Sequence, residues 1–123
     1  MFRLILVLLA LIAAVAALAT AAPTPAALGA SNAQTVKVIE NSYSIRLSAK
    51  PRPGVVRFTV SNVSDDAHDF WLRGGGKTWK TRVVGESGVA TLTATLKKGV
   101  RYTYWCAVGS HRSKGMSGGF IAR

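Results

Sequence analysis

What most constrains this chain is a two-residue alternation of apolar and polar side chains, in short runs cut by glycine and proline. Tyr43, Ile45 and Leu47 share one face of such a run. Val56, Phe58 and Val60 share one face of the next, after the turn Pro51-Arg52-Pro53-Gly54. Successive side chains of an extended strand point to opposite sides, so each run can bury one face and wet the other. Further runs span 69–72, 78–84, 89–96 and 100–106, with a last short one at 120–123. Gly74-Gly75-Gly76, Gly85-Glu86-Ser87-Gly88 and Lys97-Lys98-Gly99 separate them. The pattern predicts an all-β domain of about seven to eight short strands, an antiparallel β-sandwich or closed barrel of Greek-key type. After the N-terminal segment there is no helical period, internal repeat or second domain.

Residues 1–21 have the layout of a secretory signal peptide. Arg3 is the basic start, Leu4 to Leu18 is unbroken apolar sequence, and Ala19-Thr20-Ala21 offers the small residues that signal peptidase needs, with Ala17-Leu18-Ala19 as a second cut. The competing reading is an uncleaved membrane anchor, because the apolar run is only slightly short of a bilayer span. No cysteine lies near the cut and no Arg-Arg pair precedes the run, so general secretion to a periplasmic or otherwise extracytoplasmic location is expected. Residues 22–32, rich in Ala, Pro and Thr, read as a flexible tether, and 33–123 as the folded domain.

The 123 residues carry 16 Lys+Arg against 5 Asp+Glu; Arg3 departs with the signal, leaving a formal +10 on the exported chain. That excess fits a negatively charged partner, an acidic redox protein or an anionic membrane surface, or serves solubility alone. Nucleic acid is excluded as a partner, because the basic residues are scattered between strand-like runs instead of clustered with exposed aromatics. A monomer is expected. Cys106 is the single cysteine, so no intrachain disulfide can form, and a lone thiol in an oxidising compartment is a liability or a ligand.

Three chemically soft or borderline donors lie in one stretch, Cys106-Ala-Val-Gly-Ser-His111-Arg-Ser-Lys-Gly-Met116, and the other histidine, His68, opens a strand upstream. A thiolate, two imidazoles and a weak thioether form the donor set of trigonal copper with a long axial ligand, the arrangement used for electron transfer. Gly109 and Gly115 would let the loop bring His111 and Met116 back to the cysteine. Taken singly, each residue has a plainer reading: a surface histidine, a buried thiol, a core methionine. Their joint placement favours one copper site made by His68, Cys106, His111 and Met116.

Over residues 33–123 the chain resembles the cupredoxins, the small type 1 blue copper proteins. The resemblance rests on Phe58-Thr-Val-Ser-Asn62, Ala67-His68-Asp69-Phe70, Leu96-Lys-Lys-Gly99, Tyr102-Thr-Tyr104-Trp-Cys106 and Gly115-Met116-Ser-Gly118. The Cys-x4-His-x4-Met loop is more similar to auracyanin and rusticyanin than to plastocyanin. The resemblance implies a cupredoxin-like fold, with His68, Cys106 and His111 as equatorial ligands and Met116 as the axial one, both imidazoles binding through Nδ1. It also implies one copper cycling between Cu(I) and Cu(II), and His111 as the electron port inside an apolar patch of Ala107, Val108, Gly109 and Gly118. One departure concerns the residue after the first ligand histidine. It is commonly Asn, clasping a hydroxyl residue after the cysteine, but here the pair is Asp69 and Ala107, and a side-chain clasp cannot form.

The function expected is one-electron carriage between a redox donor and acceptor; the alternative is copper delivery, storage or sensing. An enzyme is not expected, because a catalytic copper needs further histidines, and the chain has 2 in all. Cys106 and His111 lack an orienting third group for nucleophilic catalysis.

Overall fold

The computed structural model describes residues 32–123; the expected signal, 1–21, and all but the last residue of the tether, 22–32, lie outside the described residues. Eight strands follow in order: β1 (Gln34–Asn41), β2 (Ser44–Leu47), β3 (Gly54–Asn62), β4 (Trp71–Gly74), β5 (Lys77–Lys80), β6 (Val89–Leu96), β7 (Arg101–Trp105) and β8 (Ser117–Ile121). They form two four-stranded sheets, β2-β1-β3-β6 and β5-β4-β7-β8, with the chain crossing between sheets after β3, β5 and β6. Among the described residues, all strands and the core between them come from residues 34–122, and the two sheets close on that core.

The alternation places the core of β3 as expected, and β1, which lies outside the expected runs, adds to it. Val36 and Val38 of β1, Val56, Phe58 and Val60 of β3, Leu92 and Leu96 of β6, and Tyr102 and Phe120 of the second sheet meet between the layers. Each fully buried aliphatic or aromatic side chain of this size contributes about 1.5–3 kcal/mol. The sandwich is not wholly antiparallel: β1 and β3 run parallel, with Val38 beside Val60. The chain turns back at β2, pairs that strand antiparallel to β1, then returns past β1 to its other side, so β3 regains the direction of β1.

Several strands differ from the expected ranges: β1 lies outside the expected runs, β4 spans Trp71–Gly74 where 69–72 is expected, and two further departures have identifiable reasons. The run 78–84 is a ladder only as far as Lys80, because the Thr81 side chain takes over: its Oγ1 accepts from Phe70 N at 3.0 Å and donates to Arg82 O at 2.8 Å. The last strand begins at Ser117 instead of residue 120, and Gly118 and Gly119 lie inside it, opposite Tyr104 and Thr103. Glycine disfavours strands on propensity, but a Cβ at Gly118 would run into the Tyr104 ring, so the close packing of that ring requires it.

Every strand runs between two ends of the sandwich. One end carries the β1–β2 turn, the loop from β3 to β4, the loop from β5 to β6, and the long loop 106–116. The core turns polar there. Glu40 follows Val36 and Val38 on the inward face of β1 and is completely buried, and neither carboxyl oxygen has a hydrogen-bond partner among the described residues. Burial, with the negative charge of Asp69 nearby, pushes the Glu40 carboxyl up to about 8.

The sign of the consequence follows from linkage. Between the ordinary carboxyl value and about 8 the folded chain holds a proton that the unfolded chain has released, so stability falls as pH rises through that window. Urea unfolding of the metal-free protein should therefore show less stability at pH 8 than at pH 5. Glu40→Gln should remove most of the difference and gain roughly 2–4 kcal/mol at pH 8. An unchanged pH dependence in the variant would assign it to another group.

Candidate metal centre

His68 reaches the polar end from just before β4. It is not the first residue of a strand, as its sequence setting suggests, but half of an isolated bridge: His68 N donates to Val84 O at 3.0 Å and Val84 N to His68 O at 2.7 Å. Its ring is fully buried. Ser64 Oγ lies 2.7 Å from His68 Nε2, and the same hydroxyl donates to Asn62 Oδ1 at 2.9 Å. With its proton given to Asn62, the hydroxyl can only accept from Nε2–H, which leaves His68 Nδ1 as a bare lone pair.

Cys106, the first residue past β7, is also fully buried. His111 sits in the following loop, half-buried, and its ring meets that of Tyr43 at 5.0 Å between centroids. The loop is folded onto itself by short backbone bonds. His111 N donates to Val108 O, Met116 N to His111 O and Cys106 N to Met116 O, all at 3.1 Å. Gly109 and Gly115 adopt φ of 49° and 125°, the left-handed region the return path needs, so their expected role is met. Met116 is buried with no exposed surface, its backbone tied to both Cys106 and His111.

Three side-chain donors converge. Cys106 Sγ is 3.8 Å from His68 Nδ1 and 3.7 Å from His111 Nδ1, and the two Nδ1 atoms are 3.1 Å apart. These sides define a triangle whose centre is about 2.1 Å from each corner, the reach of first-row metal bonds to imidazole nitrogen and near that of bonds to thiolate sulfur. A cation at that centre would resolve the opposition of the two nitrogens. Burial, then the His111 charge, holds His68 below its usual range, which favours the neutral ligand form. Burial pushes the Cys106 thiol up, while amide N–H groups of Asp69 and Val108 donate to the sulfur and favour its thiolate. The donor set thus fits a soft or borderline metal ion.

Asp69 joins the two halves of the site. Its Oδ1 accepts from Ala107 N at 2.7 Å and its Oδ2 from Trp71 Nε1 at 2.9 Å. A clasp between the ligand loops therefore exists: the backbone amide of residue 107 supplies the donor that no hydroxyl side chain provides. Trp71 in turn stacks on Trp105 at 5.8 Å, with Lys80 over the one ring and Arg112 over the other. Trp105 is buried under this stack.

Sequence reasoning did not find Asn62 and Ser64 as supports of His68, Tyr43 as the cover on His111, or Glu40. Tyr43 lies in the β1–β2 turn instead of extending the face of Ile45 and Leu47; Lys114 Nζ sits 4.5 Å from its ring centre. Ser64 stands four residues before His68 in a polar turn, and nothing in that spacing marks it as a hydrogen-bond partner.

The fold is that of the cupredoxins. Auracyanin B has a TM-score of 0.62 at 18% identity, over 84% of this chain and 93% of its own. Auracyanin A, described as a "blue" copper protein from the green thermophilic photosynthetic bacterium Chloroflexus aurantiacus, has a TM-score of 0.61 at 13% identity, over 75% of this chain and 100% of its own. A multi-copper oxidase from Pseudomonas thermotolerans is also similar, with a TM-score of 0.55 at 13% identity over 76% of this chain but 30% of the oxidase. No family model matches the sequence, and no curated protein sequence does.

The Asp69 clasp can be tested by stability alone. Asp69→Ala leaves the Ala107 and Trp71 donors without an acceptor and should lower the unfolding free energy of the metal-free protein by about 2–4 kcal/mol. Asp69→Asn can still accept from Ala107 through its single oxygen, so it should lose about half as much. Equal losses in denaturant melts would show that the bond to Ala107 contributes little.

Proposed function

We propose that this protein binds one copper ion through His68, Cys106, His111 and Met116, and acts as an extracytoplasmic one-electron carrier. The observation that carries the proposal is the convergence of two imidazole Nδ1 atoms and a buried thiol on one point, with one of them, His111, reaching the surface. Copper bound there supplies a one-electron couple that needs no bond to the substrate made or broken. The likeness to auracyanins supports the choice of metal.

The chain's own groups do the rest. Ser64 and Asn62 fix the tautomer of His68, so its Nδ1 is ready for metal without a prior proton shift. The amides of Asp69 and Val108 take up negative charge on the sulfur. The Asp69 bond to Ala107 and the folded loop 106–116 hold the donors in place whether or not charge is added, which keeps reorganisation small. His68, Cys106 and His111 would hold the copper, and Met116, buried in the same loop, would be the further donor that the resemblance to cupredoxins implies. The half-buried ring of His111 is the port, beside exposed Ala107 and Gly109 and half-buried Val108. Arg112 and Lys114, both exposed in the same loop, attract an acidic donor or acceptor at short range.

Carriage is favoured over copper delivery because His68, Cys106 and Met116 are closed off from solvent, whereas a delivery site must hand its ion over. It is favoured over oxidase chemistry because both histidines of the chain are already used here.

Cupric ion added in one equivalent should give an intense thiolate-to-copper visible band and a narrow parallel hyperfine splitting in the paramagnetic resonance spectrum, both absent in Cys106→Ser. An ordinary pale cupric spectrum, or tight cuprous binding without colour, would remove the electron-carrier reading and bring copper handling forward.

A further inference from the structure

The charges of this domain are sorted by end. All five acidic residues, Glu40, Asp65, Asp66, Asp69 and Glu86, lie at the end that holds the metal centre or in the strand turn entering it. The opposite end has none. It carries Lys50 and Arg52 between β2 and β3, and Lys97, Lys98 and Arg101 around the turn from β6 to β7. Lys77 at the start of β5 and Arg123 after β8 complete it, and every one of these side chains is exposed. Backbone and side-chain bonds assemble these loops into one face. Gln34 Nε2 donates to Lys50 O at 3.0 Å, Arg52 N donates to Gln34 Oε1 at 2.8 Å, and Gly99 N donates to Ala122 O at 2.8 Å. Lys50, Arg101 and Arg123 also rim a hollow of about 530 Å³ at this end.

The described chain enters at this same end, since β1 begins with Gln34 between Lys50 and Arg52 and runs toward the metal centre. The apolar residues 4–18 precede it in the sequence.

From this juxtaposition we propose that the basic end is a docking face for an anionic lipid bilayer. Cations spread over several loops, with no acidic residue among them, suit a broad layer of phosphate headgroups better than the shaped, mixed-charge surface of one protein. Docked so, the domain stands with β1 rising from the surface and His111 facing away from it, about 25 Å out, the length of an eight-residue strand. The inference does not depend on which metal the centre takes.

Residues 32–123 carry both sheets and the core between them, and omitting 4–18 lets the test read the charges alone. This chain is sedimented with vesicles of phosphatidylglycerol in phosphatidylcholine, with phosphatidylcholine vesicles as reference, at low and at physiological ionic strength. It should bind the anionic vesicles only, and less well in salt. Each basic residue near such a surface is worth about fivefold in partitioning. Lys50→Gln, Lys97→Gln and Lys98→Gln together should therefore weaken binding roughly 100-fold. Lys80→Gln, Arg82→Gln and Lys114→Gln, which remove the same charge from the metal end, should weaken it only slightly. Near-ultraviolet circular dichroism confirms that both triple variants are folded. Equal losses in the two would mean that net charge and not this face is read. Failure to bind anionic vesicles, with retention on immobilised polyglutamate, would assign the face to an acidic protein. Either result overturns the proposal.

Discussion

The metal end depends on one buried amide. Asn62, the last residue of β3, accepts from Ser64 N and Ser64 Oγ at 2.9 Å, and its Nδ2 donates to Asp66 O at 2.6 Å and Val84 O at 3.0 Å. Through those bonds a core strand dictates the path of the loop from β3 to β4 and that of the segment pairing with His68. It also commits the Ser64 proton, so the imidazole proton of His68 is held on Nε2 and the other nitrogen is left free to bind. A hydrophobic residue of the same size would fill the space. It would leave several buried polar groups unpaired, at about 1–3 kcal/mol each, and would release the tautomer.

The interior is therefore two materials in one sandwich. Along most of its length it is apolar, and β1 and β3 present Val36, Val38, Val56, Phe58 and Val60 to the facing sheet. In the last turn of the same strands the inward positions become Glu40 and Asn62, which lie side by side in the parallel register. Asn62 is satisfied four times over and Glu40 not at all. A buried carboxyl without partners disfavours the folded state, and its neutral form is retained at the expense of stability as pH rises. The fold tolerates it because the destabilisation is local to a few kcal/mol, against the apolar burial of the rest of the core.

Much of this was legible in the residues. Period-2 alternation located most strand segments after β1 and the buried faces of β3 and β6, because burial on one face leaves that trace directly in the sequence; the run that forms β1 was not read from it. His68, Cys106 and His111 stood out as candidate donors, and the structure brings their donor atoms together with Met116 buried in the same loop, because ligand chemistry restricts residue type severely. The supports were not legible. Asp69 works through a main-chain amide, which has no sequence signature. Ser64 works through a hydrogen bond whose donor sense depends on Asn62. Glu40 continues the inward face of Val36 and Val38, and nothing in its sequence setting marks it as buried. Tyr43 belongs by spacing to the face of Ile45, yet the turn lifts it onto His111. β8 was placed three residues late because its glycines answer to the Tyr104 ring across the sheet, a constraint set by tertiary contact and not by propensity.

Charge sorting bears on how the metal end meets a partner. Beside His111 the basic Arg112 and Lys114 share its loop and Asp66 is near enough to feel its charge, with Asp65 and Glu86 in other loops of the same end, so the field there is mixed. The excess positive charge lies at the far end. An acidic protein approaching a freely diffusing domain from a distance would be drawn first to that far end, away from the proposed port at His111. A negative surface occupying the basic end neutralises that competing attraction and leaves His111, Tyr43 and Lys114 as the exposed approach. In the proposed carrier the two ends would act together: the basic face would set orientation, and the short-range contacts around His111 would select the partner.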